Sequence, residues 1–125
     1  MENTFYISVS AHFKNDYDVA KLEKILGVKA SKLTFLKDSN GPTASAKFLY
    51  NTKEFTNAYP DKLFEQFVDS LYNNAKNIKN ELLHNEGNLT FCIVFKNFVT
   101  KPCLYLSNKT LSQMSEMGAG FDVDM

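Results

Sequence analysis

At 125 residues the chain suits a single domain, residues 1–125, and is short for two. An apolar share of 44% with 22% charged residues excludes wholesale disorder. Formal net charge is +0 and all 14 basic residues are lysines, which argues against nucleic acid: phosphate neutralisation wants a basic surplus, and bidentate readout of phosphate or guanine wants arginine.

The first element is a strand. From Thr4 to Phe13 the chain alternates, with Phe5, Ile7, Val9, Ala11 and Phe13 on one face and Tyr6, Ser8, Ser10 and His12 on the other. Asp16 or Asp18 can cap a short helix carrying Val19, Leu22, Ile25 and Leu26, and Gly27 supplies a left-handed stop. Strands over Lys32 to Lys37 and Thr43 to Tyr50 flank the turn cluster Asp38-Ser39-Asn40-Gly41-Pro42 and read as a hairpin. Asn51 to Tyr59 reads as a polar connection. Pro60 opens a long main helix to His84, with Leu63, Phe64, Phe67, Val68, Leu71, Tyr72, Ala75, Ile78 and Leu82 on its stripe. Its opposite face carries Asp61, Glu65, Asp69, Asn73, Lys76 and Asn80.

Leu89 to Phe98 is apolar on nearly both faces and fits a central strand. A short extended piece, Cys103 to Leu106, leads to a final helix capped by Ser107 or Asn108, with Leu111, Met114 and Met117 on its face. Gly118 and Gly120 end it, and Phe121 to Met125 alternates as a last strand. The expected class is α+β: a split β-α-β (ferredoxin-like) sheet packed by the long helix, with a C-terminal short strand-helix-strand addition.

Two cysteines without a basic, apolar leader read as reduced thiols, and no stretch reaches the roughly 18 apolar residues of a membrane span. A cytoplasmic protein that does not enter the membrane is expected. Cys92 sits in an apolar strand and reads as core; the cysteines and histidines lack zinc spacing. Ser10 and His12 share one regular strand without a nucleophile elbow. No catalytic residue, metal ligand or cofactor site is therefore expected. Asp122 and Asp124 point one way on a strand and suggest an acidic patch or, with Glu116, a divalent-cation site; the plainer alternative is a solvated face, with Phe121 and Val123 turned inward. Phe55 and Tyr59 place two aromatics in a polar connection, where they either recognise a partner or tuck under the main helix.

Three passages resemble the bacterial family called domain of unknown function 4279. They are Phe5 to Leu26-Gly27-Val28; Pro102-Cys103-Leu104-Tyr105-Leu106-Ser107 followed by Leu111 and Met114; and Met117-Gly118-Ala119-Gly120-Phe121-Asp122-Val123-Asp124. The resemblance implies a strand closing the chain just after a helix. Small domains of this type also resemble immunity proteins that partner bacterial toxins, a likeness at the level of fold. The resulting expectation is a non-catalytic protein-binding module, an immunity protein that binds a toxin domain through Asp61, Glu65, Asp69, Phe55, Tyr59, Asp122 and Asp124. The alternatives are a small-ligand or metal-binding domain (a minor hydrolase) where Asp122, Asp124 and a histidine converge, and a self-associating structural domain forming a homo-oligomer.

Overall fold

The structure is a computed structural model that describes residues 3–14, 17–37, 43–56, 58–97 and 104–124. In chain order the elements are β1 (Thr4–Phe13), α1 (Val19–Leu26), β2 (Lys32–Lys37), β3 (Thr43–Asn51), β4 (Phe55–Thr56), α2 (Pro60–Tyr72), α3 (Ala75–His84), β5 (Gly87–Phe95), α4 (Asn108–Glu116) and β6 (Ala119–Asp124). The fold is α+β. The sheet runs β2-β3-β1-β5-β6, with β4 pairing the N-terminal end of β1. The β1·β3, β1·β4, β1·β5 and β2·β3 pairs are antiparallel; β5·β6 is parallel, so the sheet is mixed.

β1 is the central strand, and its alternation decides the core. Phe5, Ile7, Val9, Ala11 and Phe13 are all buried, facing the helices. β5 pairs with it along its whole length, from Phe5 opposite Phe95 to Phe13 opposite Gly87. Leu89, Phe91, Ile93 and Phe95 join the same core face. Phe64, Val68 and Leu71 of α2 and Ala75, Ile78 and Leu82 of α3 close over them. α1 begins at Asp18, whose carboxylate accepts from the Ala20 amide, and stops at Gly27 with φ 75°.

Four expectations change. The main helix is two helices, broken at Asn73-Asn74. Adjacent asparagines are poor helix formers. The buried stripe runs unbroken from Leu71 to Ala75 and Ile78, so apolar spacing conceals the break. Second, the connection after β3 holds the short strand β4, where Phe55 pairs with Phe5 and their ring centroids lie 5.4 Å apart.

Third, residues 104–107 form no strand. Leu104 and Leu106 pack against the core, while the Ser107 amide donates to the Glu65 carboxylate at 2.8 Å. The C-terminal addition is thus a helix and a strand; Cys103 and the 38–42 turn lie outside the described residues, as do Asp16, Phe98 and Met125. Fourth, β5 is fully buried on one face only: Thr90, Cys92 and Val94 alternate with the core residues and are half-buried. Cys92 therefore lies outside the core. Leu111 is likewise 48% exposed, although Met114 and Met117 are buried as their spacing predicts.

Candidate functional site

The acidic face of α2 meets α4. Glu65 accepts from the Ser107 amide, and Ser107 caps α4 through its hydroxyl, 3.2 Å from the Thr110 amide. Asp69 accepts from the Gln113 side-chain amide at 2.8 Å, with the Lys109 ammonium 3.8 Å away. One turn on, the Tyr72 hydroxyl donates to Glu116. Residues spaced i, i+4, i+7 on α2 thus fasten α4 by polar contacts. Helical spacing shows that Asp61, Glu65 and Asp69 share a face, but not that α4 covers part of it.

Glu65 carries a testable electrostatic consequence. The Ser107 amide, above all, and then the Ser107 hydroxyl hold its carboxyl below the usual glutamate range. A depressed carboxyl contributes stability above its unfolded value, and that contribution is lost as pH falls through the folded value. Glu65→Gln should cost about 1 kcal/mol at neutral pH. Urea melts should also show a shallower loss of stability below about pH 4.5 than in wild type. Parallel acid limbs for the two proteins would contradict the contact.

Three of the residues singled out in the sequence meet at the start of α2. Tyr59, Asp61 and Glu65 line a groove of about 360 Å³ with Lys62, Tyr105 and Ser107. Tyr59 is 78% exposed and Tyr105 71%. Tyr59 is also the N-cap of α2 and makes no side-chain capping bond, at a position where Ser, Thr, Asp or Asn is preferred. Tyr105 was missed in the sequence because it lay in a stretch read as strand. Phe55 is elsewhere: its ring meets Phe5 at a tilt, with the Lys53 ammonium 5.8 Å from its centroid.

Asp122 and Asp124 lie on β6 at the sheet's edge. Asp122 is in register with Cys92 and Asp124 with Val94, on the sheet face turned away from the helices. Phe121 turns the other way and meets Phe64 at 5.0 Å between centroids, yet it and Val123 remain 37% exposed. Burial first, then the Asp122 and Asp124 carboxylates, push the Cys92 thiol up, which keeps it protonated and unreactive.

His12 does not meet these carboxylates. It pairs with Asn88 on β5, four residues along from Cys92, so strand and residue spacing put it about 16 Å from Asp122. The other histidine, His84, ends α3 with Nδ1 2.7 Å from the Asn80 carbonyl oxygen. Glu116 is engaged by Tyr72. Among the described residues no group of three His, Cys, Asp or Glu side chains could hold a metal ion. No helix among them is long and apolar enough to cross a membrane.

No curated protein and no solved structure matches the chain. One family model does, over residues 4–125, so nearly the whole chain is covered and it belongs to the family described as domain of unknown function, DUF4279.

Proposed function

We propose that this member of the DUF4279 family is a non-catalytic, cytoplasmic protein-binding module, in its sharpest form an immunity protein that binds and blocks a bacterial toxin domain. The observation that carries the binding role is the pair of exposed tyrosines, Tyr59 and Tyr105, flanking a groove that contains Asp61 and Glu65. Tyrosine offers a broad apolar surface with a polar tip and is enriched among the residues that dominate interface energetics. Aromatic faces beside carboxylates suit a Lys or Arg side chain of a partner. A basic toxin surface would also be steered by Asp61.

The capping position sharpens the test. Tyr59→Ser supplies an N-cap side chain and should raise stability by up to about 1 kcal/mol. The same change should weaken partner binding about 30-fold, as for loss of an interface anchor worth about 2 kcal/mol. The experiment is co-purification from the native host, with the toxin domain encoded next to this reading frame as the first candidate. Calorimetry would then compare wild type, Tyr59→Ser and Tyr105→Ala, and growth under toxin expression would report neutralisation. Failure to recover any stable protein partner sinks the binding role. A recovered partner whose affinity ignores both substitutions moves the interface elsewhere.

A further inference from the structure

The sheet face turned away from the helices carries a depression of about 740 Å³ that the tyrosine groove does not touch. Its position follows from strand register. Ser10 of β1 lies between Leu49 of β3 and Thr90 of β5, and Lys32 of β2 faces Leu49 from the far side. Two residues along, His12 lies between Lys47 of β3 and Asn88 of β5. Leu49, Ser10 and Thr90 thus form one row across the face, with Lys32 at its end and Lys47, His12 and Asn88 in the next.

Two exposed lysines come close together on this face. Lys47 is directly opposite His12, and Lys32 sits diagonally from Lys47 across β2·β3, about 7 Å away. Among the described residues no carboxylate lines the depression and neither lysine makes an ion pair. The carboxylates on this face, Asp122 and Asp124, are on β6, beyond β5. In a chain of formal net charge +0 this is local segregation of charge.

We infer that this depression binds the phosphate group of a small phosphorylated molecule. Lys32 and Lys47 would supply the opposing charge, and the Ser10 and Thr90 hydroxyls, the Asn88 amide and His12 would supply hydrogen-bond donors. The size suits a ligand on the scale of a mononucleotide. A single-stranded nucleic acid fits less well, because such sites stack bases on exposed aromatic side chains, whereas Phe48, which borders the depression, is buried in the core.

The test is an amide-shift titration of the labelled full chain at low salt, with inorganic phosphate, adenosine 5′-monophosphate and a single-stranded oligouridine as separate probes. Saturable shifts at Ser10, His12, Leu49, Asn88 and Thr90 with either phosphate or the mononucleotide support the inference, and the stronger probe tells a free anion from a phosphate ester. Lys32→Gln and Lys47→Gln should each weaken that binding about tenfold, the size expected for one charge-assisted contact. Both lysines are exposed, so melting curves should confirm intact folds. No shift at this face up to millimolar ligand overturns the inference. So does affinity that ignores both substitutions, or oligouridine binding a hundredfold tighter than the mononucleotide.

Discussion

Phe64→Ala is expected to cost about 4 kcal/mol and to loosen the C-terminal strand before the rest of the sheet. The Phe64 ring is fully buried on α2. It meets Phe91 of β5 edge-on at 6.1 Å and Phe121 of β6 at 5.0 Å. Truncation opens a cavity under the central sheet and removes the one ring contact that Phe121 makes among the described residues. A domain of this size has a total stability of about 5–15 kcal/mol, so the loss is a large fraction of it. Urea denaturation should show the midpoint falling with little change in slope. Hydrogen exchange at Phe121 and Val123 should rise more than at Val9 or Ile93. Phe121→Ala, at a half-exposed edge position, should cost less than half as much. A Phe64→Ala cost below about 1.5 kcal/mol would mean that the core relaxes into the space and that β6 is held by its ladder alone.

Gly87→Ala should cost about 3 kcal/mol although it adds only one methyl group. A Cβ at Gly87 would stand 2.3 Å from one Phe13 ring carbon, 2.6 Å from another and 3.0 Å from a Leu82 methyl. Nothing there can give cheaply. Phe13 is fully buried and stacks on Tyr17 at 4.0 Å, and the Tyr17 hydroxyl donates to Glu81 at 2.7 Å. Gly87 is also where β5 begins, opposite Phe13, the last residue of β1. Strain at that point acts on the central pair of the sheet. Shortening the ring should relieve it: Gly87→Ala placed in a Phe13→Leu background should cost at least 1 kcal/mol less than in wild type, measured as a double-mutant cycle. Strict additivity of the two changes would show that the clash lies elsewhere.

These two positions differ in how visible they are along the chain. Phe64 belongs to a stripe that helical periodicity marks as buried, and it is buried. The φ of Gly87 is not in the left-handed region, and its glycine is needed for close approach to Phe13. That need comes from β1·β5 pairing across some seventy residues of sequence, which no local pattern contains. The same limit governs the candidate sites. Tyr59, Asp61 and Glu65 are close in sequence and were named together. Tyr105, which completes their groove, arrives only when α4 docks on α2 through Glu65, Asp69 and Tyr72. Lys32 and Lys47 are unremarkable singly. Register sets Lys47 opposite His12 and Lys32 diagonally from Lys47, with no carboxylate among the described residues that line the depression.

What the amino-acid order determined by itself was local and periodic: the alternation of Thr4–Phe13, the apolar stripe from Leu63 to Leu82, a cap at Asp16 or Asp18 and another at Ser107 or Asn108, the Gly27 stop, and a last strand through Phe121 that the structure begins at Ala119. Each depends on contacts within one strand or a few helical turns, where spacing is the physical cause. The tertiary structure decided the rest: that α2 and α3 are separate helices beneath one continuous stripe, that the acidic face of α2 is a seam with α4, and that Lys32 and Lys47 come to one side of the strand order while Asp122 and Asp124 come to the other. Those outcomes depend on which elements become neighbours. Burial, electrostatics and hydrogen bonding between distant residues take effect only after the chain has closed.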